Sequence, residues 1–306
     1  LRSLVGSEMC IRDSVWSDLT KQMGYWVDMD EPYLTYTSKY MESVWWLLKQ
    51  LYDKKLIYKG YTIQPYSPKA GTGLSSHELN QPGCYQDVTD TTVTAQFETL
   101  NETLPPELQD ETPLHILAWT TTPWTLPSNT ALTVGPSIDY VVVSTFNRYT
   151  HLPIRVLLAK DLVPRVFAKV FQQVEAKDDL LSYDKKGKNI PYHITGEVKG
   201  TALVGIRYKQ LWSDAPLPHN TPEHAFRVIT GDFVTTDDGT GIVHTAPTFG
   251  ADDAVVAKQA NPEVPPMLVL DEHEQLVPLV DLQGRFRKEL GSLGGKYVKN
   301  EYYEYG

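Results

Sequence analysis

Two stretches of the sequence hold side chains suited to binding a polar ligand and directing a water molecule. In the first, AWTTTPWTLPSN, the consecutive threonines Thr120, Thr121 and Thr122 stand between Trp119 and Trp124, and Pro123 and Pro127 break the run. Such a segment makes a poor helix and a poor strand. As a loop it presents several hydroxyls and free backbone N–H groups beside apolar walls, the parts needed to hold a hydroxyl-rich ligand and a water. Thr125 and Asn129 add polar groups just downstream. A plainer account stays open, in which this is a capped turn that packs two tryptophans while the threonines serve the backbone.

The second stretch is DDGTGIVHTAPTFGADD, Asp237 to Asp253. Gly239 and Gly241 suit a hairpin turn, and the strand after them delivers His244 to a loop shaped by Pro247 and Gly250. Asp252 and Asp253 then fall where a helix starts, a place that favours negative charge. Here too a plainer account is open, with the aspartates as a helix cap and His244 as a surface histidine. His244 with Asp252 or Asp253 would be a thin divalent-metal set, because the two-histidine helix motif is absent. There is no G-x-S-x-G elbow, no phosphate-binding G-x-x-x-x-G-K-[ST] loop and no dinucleotide fingerprint.

The elements that must carry these stretches follow from periodicity. Met41, Val44, Trp45, Leu48, Leu51 and Tyr52 recur at three- and four-residue spacing within a helical region, 15–57, and Thr37 or Ser38 can cap this helix. Strands are expected at 61–64, 92–97, 114–119, 140–144, 154–159, 225–229 and 241–243, and helices at 161–174 and 251–260. Residues 101–113 and 178–189 read as polar loops. Many short strands with few helices predict an α+β fold: a β-barrel-like domain from about residue 96, with peripheral helices, after a helical segment. The working division is 1–14, 15–95 and 96–306. The opening LRSLVGSEMCIRDS resembles translated adapter sequence and not a signal peptide, so residues 1–14, with Cys10, are set aside. With no initiator Met and no terminal signal, the chain reads as cut at both ends.

Bulk properties narrow the function. The 306 residues carry a formal net charge of -10, which argues against broad wrapping of a nucleic-acid backbone but not against holding one RNA end. The two cysteines, Cys10 and Cys84, cannot make a disulfide framework, and a reducing, cytoplasmic setting is expected. The apolar run Val44 to Leu48 is far short of the ~20 residues a membrane helix needs, so no membrane partner is expected.

AWTTTPWTLPSN and GTGIVHTAPTFGADD resemble the signature segments of the editing domain of isoleucyl-tRNA synthetases. The related valyl and leucyl enzymes carry a T-T-R-P-type segment at the first place, and Thr122 here stands where their arginine would be. The stretch from Gly24 to Leu79 is similar to the family's lead into its editing insertion, and VDLQGRFRKELGSLGGKYVKNEYY to that domain's last part. The resemblance therefore implies a piece of the class I catalytic domain over 15–95 and an editing domain over 96–306. No H-I-G-H-type or K-M-S-K-S-type segment is present, so this chain alone is not expected to activate isoleucine, although the parent ligase would use ATP and Mg2+. Many members have Cys-x-x-Cys where this chain has Ser67-Pro-Lys-Ala70. Neither Ser67 nor Ala70 supplies a thiolate, so no structural zinc is expected.

By the same resemblance, Asp253 would anchor a substrate ammonium, and Thr121 and Thr122 would bind substrate and place the water, with Thr120 supporting the loop. His244 would wall off a larger side chain. Trp119 and Trp124 would screen the pocket, Asn129 would support the threonine loop, and Thr125 and Asp252 would be neighbours. No general base is assigned. The implied reaction is hydrolysis of valine misattached to the 3′ end of tRNA(Ile), with the rest of the synthetase chain as the other partner. Two rivals stand beside it: a metal-dependent hydrolase built on His244, Asp252 and Asp253, and a non-catalytic module that binds an RNA end.

Overall fold

The computed structural model describes residues 15–30, 33–60 and 62–299. The reading of 1–14 as foreign sequence, and Tyr61 at the start of one expected strand, lie outside these residues. The chain divides into two compact units, one ending at Tyr61 and the other beginning at Thr62.

In the first unit, α1 (15–22) and α2 (Ser38–Asp53) replace the single helical region expected. Thr37 caps α2 by accepting a hydrogen bond from the Tyr40 N–H, as its position in the sequence predicts. No side chain of α2 is buried, and Trp45, Trp46, Leu48 and Leu51 are exposed. None of the described helices is long and apolar enough to cross a membrane.

The second unit begins with a small hairpin, β1 (Tyr66–Ser67) and β2 (Thr72–Gly73), followed by the short helix α3 (Ser76–Leu79). Further along come β3 (Val93–Glu98), β4 (Leu114–Thr120), β5 (Ala131–Val134), β6 (Asp139–Phe146) and β7 (Pro153–Ala159). After them lie α4 (Val163–Val166), β8 (Phe171–Gln173), β9 (Ile190–Lys199), β10 (Arg227–Thr230), β11 (Ile242–Thr245), α5 (Ala251–Gln259), β12 (Leu268–Leu270) and β13 (Leu276–Pro278).

The α+β class stands, but the barrel does not. A six-stranded sheet runs β3-β4-β7-β6-β9-β8, a three-stranded sheet runs β10-β5-β11, and neither closes on itself. Closure needs the first and last strands to pair. Among the described residues β3 has a ladder only with β4, and the three-residue β8 only with β9, so the two edge strands do not pair with each other. The helix expected over 161–174 is also shorter. It is confined to 163–166 after one 3-10 turn, and Phe171 to Gln173 turn back as an edge strand.

The middle of the large sheet is covered on both faces, which explains the unbroken apolar run YVVV. Tyr140 and Val142 of β6 point into one cluster with Ile116, Ala118 and Leu157, while Val141 and Val143 point into another with Leu117, Val156 and Leu158. The two sheets are tied by polar bonds as well as by packing. The buried Tyr140 hydroxyl donates to Gly241 O at 2.7 Å and accepts from Gly135 N–H at 2.9 Å. Thr240 Oγ1 donates to Leu117 O at 2.7 Å, and Ala159 N–H donates to Thr240 O at 2.9 Å. These bonds fix the start of β11 against β4. They also explain Gly241, whose φ is +71° and whose missing Cβ would lie 2.4 Å from that of Ala159.

Burial holds the Tyr140 phenol at a pKa of about 12, so it stays a protonated donor. Tyr140→Phe keeps the ring but strands a buried carbonyl and a buried N–H, and should cost about 1–3 kcal/mol. Urea unfolding of the two proteins measures this, and equal midpoints with equal slopes would show that the tie carries no weight.

Candidate functional site

The threonine stretch begins as strand and ends as a turn. Thr120 is the last residue of β4, and the prolines then set a 3-10 turn over Pro123–Ser128. Hydroxyls replace the lost ladder: Thr122 N–H donates to Thr120 Oγ1 at 3.0 Å, and Thr125 Oγ1 donates back to Thr122 O at 2.8 Å. Asn129 closes the turn and leads into β5, which pairs antiparallel with β11 so that Leu132 faces His244 and Ala131 faces Thr245. That register carries the Asn129 side chain to the His244 ring.

His244 is a buried strand residue, 7% exposed, and not a surface histidine. Its Nδ1 lies 2.8 Å from Asn129 Nδ2, and its Nε2 lies 3.0 Å from Thr125 Oγ1. Asn129 Nδ2 also donates to Ala131 O at 2.7 Å, while Asn129 Oδ1 accepts from the Tyr208 hydroxyl at 2.6 Å. The Ala131 carbonyl can only accept and the Tyr208 hydroxyl donates, so together they set this amide orientation, which turns Nδ2 to Nδ1 and makes Nδ1 the unprotonated nitrogen. Nε2 then carries the hydrogen and donates to Thr125 Oγ1, whose own hydrogen is already given to Thr122 O. Burial pushes the imidazole pKa down to about 4. His244 is thus neutral at pH 7 with both nitrogens engaged, which leaves no lone pair for a general base or a metal.

Downstream of β11, the turn Ala246–Gly250 leads into α5. Asp253 lies in the first turn of α5 and accepts the Ala246 N–H through Oδ2 at 2.8 Å. A Cβ on Gly250 would sit 2.6 Å from that carboxylate, so the close approach requires glycine. Burial raises the Asp253 pKa, the bond from Ala246 opposes this, and the charge of Asp252 adds to it. Trp124 meets Phe249 edge-on at 5.0 Å, joining the two turns.

Together these elements bound a hollow of about 740 Å3, within the range of small-molecule sites. Thr120, Thr122, Trp124, Thr125, His244 and Asp253 line it. Further lining comes from 62–68 and 278–284, segments to which the sequence assigned no site residue. Asp281 also lines it, but its two oxygens are spent on Gln283 N–H, Arg285 N–H and Arg285 Nε. Asp253 Oδ1 has no protein donor among the described residues, nor does Trp124 Nε1 have an acceptor.

Four expected site residues do not line the hollow. Thr121 is exposed beside it, and Asn129 is buried behind His244. Trp119 packs against Gly239, where a Cβ would lie 3.1 Å from the indole. Asp252 faces a separate hollow of about 480 Å3 with Arg227 and Phe233, so it cannot share a ligand with His244 and Asp253. No group of three or more His, Cys, Asp or Glu among the described residues is arranged to hold a metal ion. In the β1–β2 hairpin, Ser67 Oγ accepts the Ala70 N–H at 3.2 Å and Ser67 O accepts the Gly71 N–H at 2.8 Å, so the turn is closed by hydrogen bonds.

Reasoning from sequence missed Tyr208 and Phe249. Phe249 lies inside the second stretch and was readable there as an aromatic flank. Tyr208 sits in an unremarkable IRYKQ, and non-local backbone contacts with Thr99 and Phe226 bring it under Asn129.

The model of the family described as tRNA synthetases class I (I, L, M and V) matches residues 9–258. The chain is 55% identical over 291 residues to an isoleucine–tRNA ligase of Cytophaga hutchinsonii, covering 94% of this chain and 25% of that protein. It is 57% identical over 272 residues to one of Bacteroides fragilis, covering 89% and 23%. The chain thus spans about a quarter of the length of these relatives. Among solved structures, the leucyl-tRNA synthetase editing domain of P. knowlesi is similar over 58% of this chain and 66% of that one, at 12% identity and a TM-score of 0.40.

The state of His244 sets a pH dependence. An unfolded histidine takes up its proton near pH ~6.5, and the folded one only near about 4. Stability from this group is therefore complete above the unfolded value and declines as the pH falls towards the folded one, by an amount on the order of 3 kcal/mol. Asp253, with its pKa raised, works in the opposite direction. The loss in unfolding free energy on going from neutral to mildly acid buffer should be smaller in His244→Gln than in wild type, as read by urea titration. Equal losses would refute the assignment.

Proposed function

The chain belongs to the class I tRNA synthetases, on their isoleucyl branch, and from that footing we propose that residues 96–306 are an editing domain that hydrolyses valine misattached to tRNA(Ile). One observation carries this reading: His244, Thr122 and Asp253 share one hollow, in which Asp253 keeps an oxygen without a protein donor among the described residues.

The need for such a site is a limit on selectivity. One methylene is worth only about 1–3 kcal/mol in an apolar pocket, and isoleucine against valine is itself the standard illustration of that limit. A second pocket that excludes isoleucine must therefore remove the wrong product. Asp253 Oδ1 takes the valine ammonium in a charge-assisted bond. His244, held rigid at both nitrogens, stands as the wall. Thr122 Oγ1 lies 3.3 Å from Thr120 Oγ1 and 3.5 Å from Thr125 Oγ1, a hydroxyl cluster suited to positioning a water. Trp124 supplies an apolar side and an unsatisfied N–H. Thr121 meets the incoming RNA end from the rim, Asn129 acts from behind His244, and Trp119 and Asp252 act as outer supports.

In the reaction, water oxygen attacks the ester carbonyl carbon. The bond to the ribose oxygen breaks, valine leaves as the acid, and the ribose regains a hydroxyl. Rate comes from orientation more than from a protein base, in keeping with the engaged nitrogens of His244. The hollow is large enough for a nucleoside beside the amino acid. The site works without a metal, because His244, Asp252 and Asp253 do not form one ligand set. The domain division at about 95, the parent ligase's use of ATP and Mg2+, its joining of isoleucine to tRNA(Ile) and its cytoplasmic setting belong to the same proposal.

The test is a deacylation assay with Val-tRNA(Ile) and Ile-tRNA(Ile). The wild-type chain should cleave the first and spare the second, with or without chelator. Asp253→Ala should slow cleavage of Val-tRNA(Ile) by about a hundredfold, and His244→Ala should open the site to Ile-tRNA(Ile). Undiminished cleavage by Asp253→Ala, or chelator-sensitive activity, would refute the reading. Binding of the tRNA without cleavage would favour a passive RNA-end module.

A further inference from the structure

We infer that Tyr208 is a positioning residue for this site, acting through Asn129 to hold His244 as the tautomer whose Nε2–H points to the threonine cluster. The inference rests on the editing reading for its functional consequence, but not for its geometry.

Tyr208 is 2% exposed and follows a chain path far from both motifs. Its main chain bridges to Thr99 at the end of β3, and its N–H donates to Phe226 O at 3.0 Å. Its ring lies edge-on to Phe97 at 5.3 Å and to Phe226 at 6.2 Å. The phenol has one donor to give, and it gives it to Asn129 Oδ1 at 2.6 Å. Burial raises the phenol pKa well above its usual value, so that donor is not lost near neutral pH.

The amide of Asn129 is therefore held from two sides. Ala131 O demands a donor and takes Nδ2, while Tyr208 supplies a donor and takes Oδ1. With Oδ1 fixed on the tyrosine side, Nδ2 faces His244 Nδ1, which can only accept. The hydrogen of the neutral ring is then on Nε2, directed at Thr125 Oγ1, and Thr125 passes its own hydrogen to Thr122 O. A flipped amide would set two acceptors, Oδ1 and Ala131 O, against each other and would call for a hydrogen on Nδ1. The Nε2 lone pair would then compete for the Thr125 hydrogen, loosening the turn that holds Thr122. Tyr208 lines neither hollow, yet it biases whether the imidazole nitrogen that the threonines meet is a donor or an acceptor.

Tyr208→Phe removes one hydroxyl and keeps the packing. The direct readout is nitrogen NMR of the histidine-labelled 306-residue chain at neutral pH. In wild type, His244 should show a protonated Nε2, an unprotonated Nδ1, and a coupling through the hydrogen bond from Asn129 Nδ2. In Tyr208→Phe the two tautomers should mix, and the ring should titrate at a higher pH. The preference for Val-tRNA(Ile) over Ile-tRNA(Ile) should fall by about tenfold, while Tyr140→Phe, a buried phenol bonded to Gly135 and Gly241 and not to Asn129, should leave the tautomer unchanged. A wild-type His244 protonated on Nδ1 would overturn the inference even if Tyr208→Phe failed to fold, as would an unaltered tautomer in a folded Tyr208→Phe. A wild-type chain with the expected NMR signature but no deacylation would sink the editing reading alone.

Discussion

A neutral imidazole bonded at both nitrogens in a buried setting is the constraint on which the site depends. Burying any polar ring is costly unless its groups are satisfied, and His244 meets that demand by recruiting Asn129 from one stretch and Thr125 from the turn above it. Since those partners lie 115 and 119 residues away in the chain, the bonds also determine where the threonine turn sits relative to β11. The ring is at once a spacer and a clamp. Its low pKa follows from the same burial, which penalises the charged ring.

Asp253 is held by a different logic. Its helix starts where the chain leaves β11, so the same strand that carries the imidazole delivers the carboxylate. Glycine at 250 lets the backbone approach the carboxylate closely, and the Ala246 N–H fixes one oxygen. What is left is one carboxyl oxygen with no protein donor among the described residues, in a hollow whose other carboxylate, Asp281, is spent on its own turn. A small cation is the ligand such an oxygen suits, and the amino group of an aminoacyl ester is one that the family supplies.

Legibility in the sequence was uneven, for physical reasons. Strands with a buried apolar run, such as Tyr140 to Ser144, declared themselves, as did the Thr37 cap and the start of α5. The strand Ile190–Lys199 did not, because a proline, a histidine and a glycine interrupt its alternation and a bulge shifts its register. Strand content alone suggested a barrel, but closure depends on which edges pair, and no local pattern in β3 or β8 encodes that. The two site stretches stood out by composition, yet their meeting was readable only from resemblance. Asp252 and Asp253 are neighbours in sequence with equal chemistry, and only helix geometry turns them to different hollows. Tyr208 had no signal at all, being a tyrosine in a plain segment placed by non-local contacts with Thr99 and Phe226.

The loop from Ala246 to Gly250 has a consequence for how such a pocket can diverge. His244 belongs to a strand and Asp253 to a helix, and these five residues are the only covalent joint between them. The loop therefore works as a gauge block, and its length fixes the separation of His244 and Asp253 without either residue changing. Insertion or deletion within it would recalibrate the pocket for a longer or shorter side chain. Under the editing role proposed above, a lineage could thus retarget the pocket by altering a spacer while keeping every polar group in place.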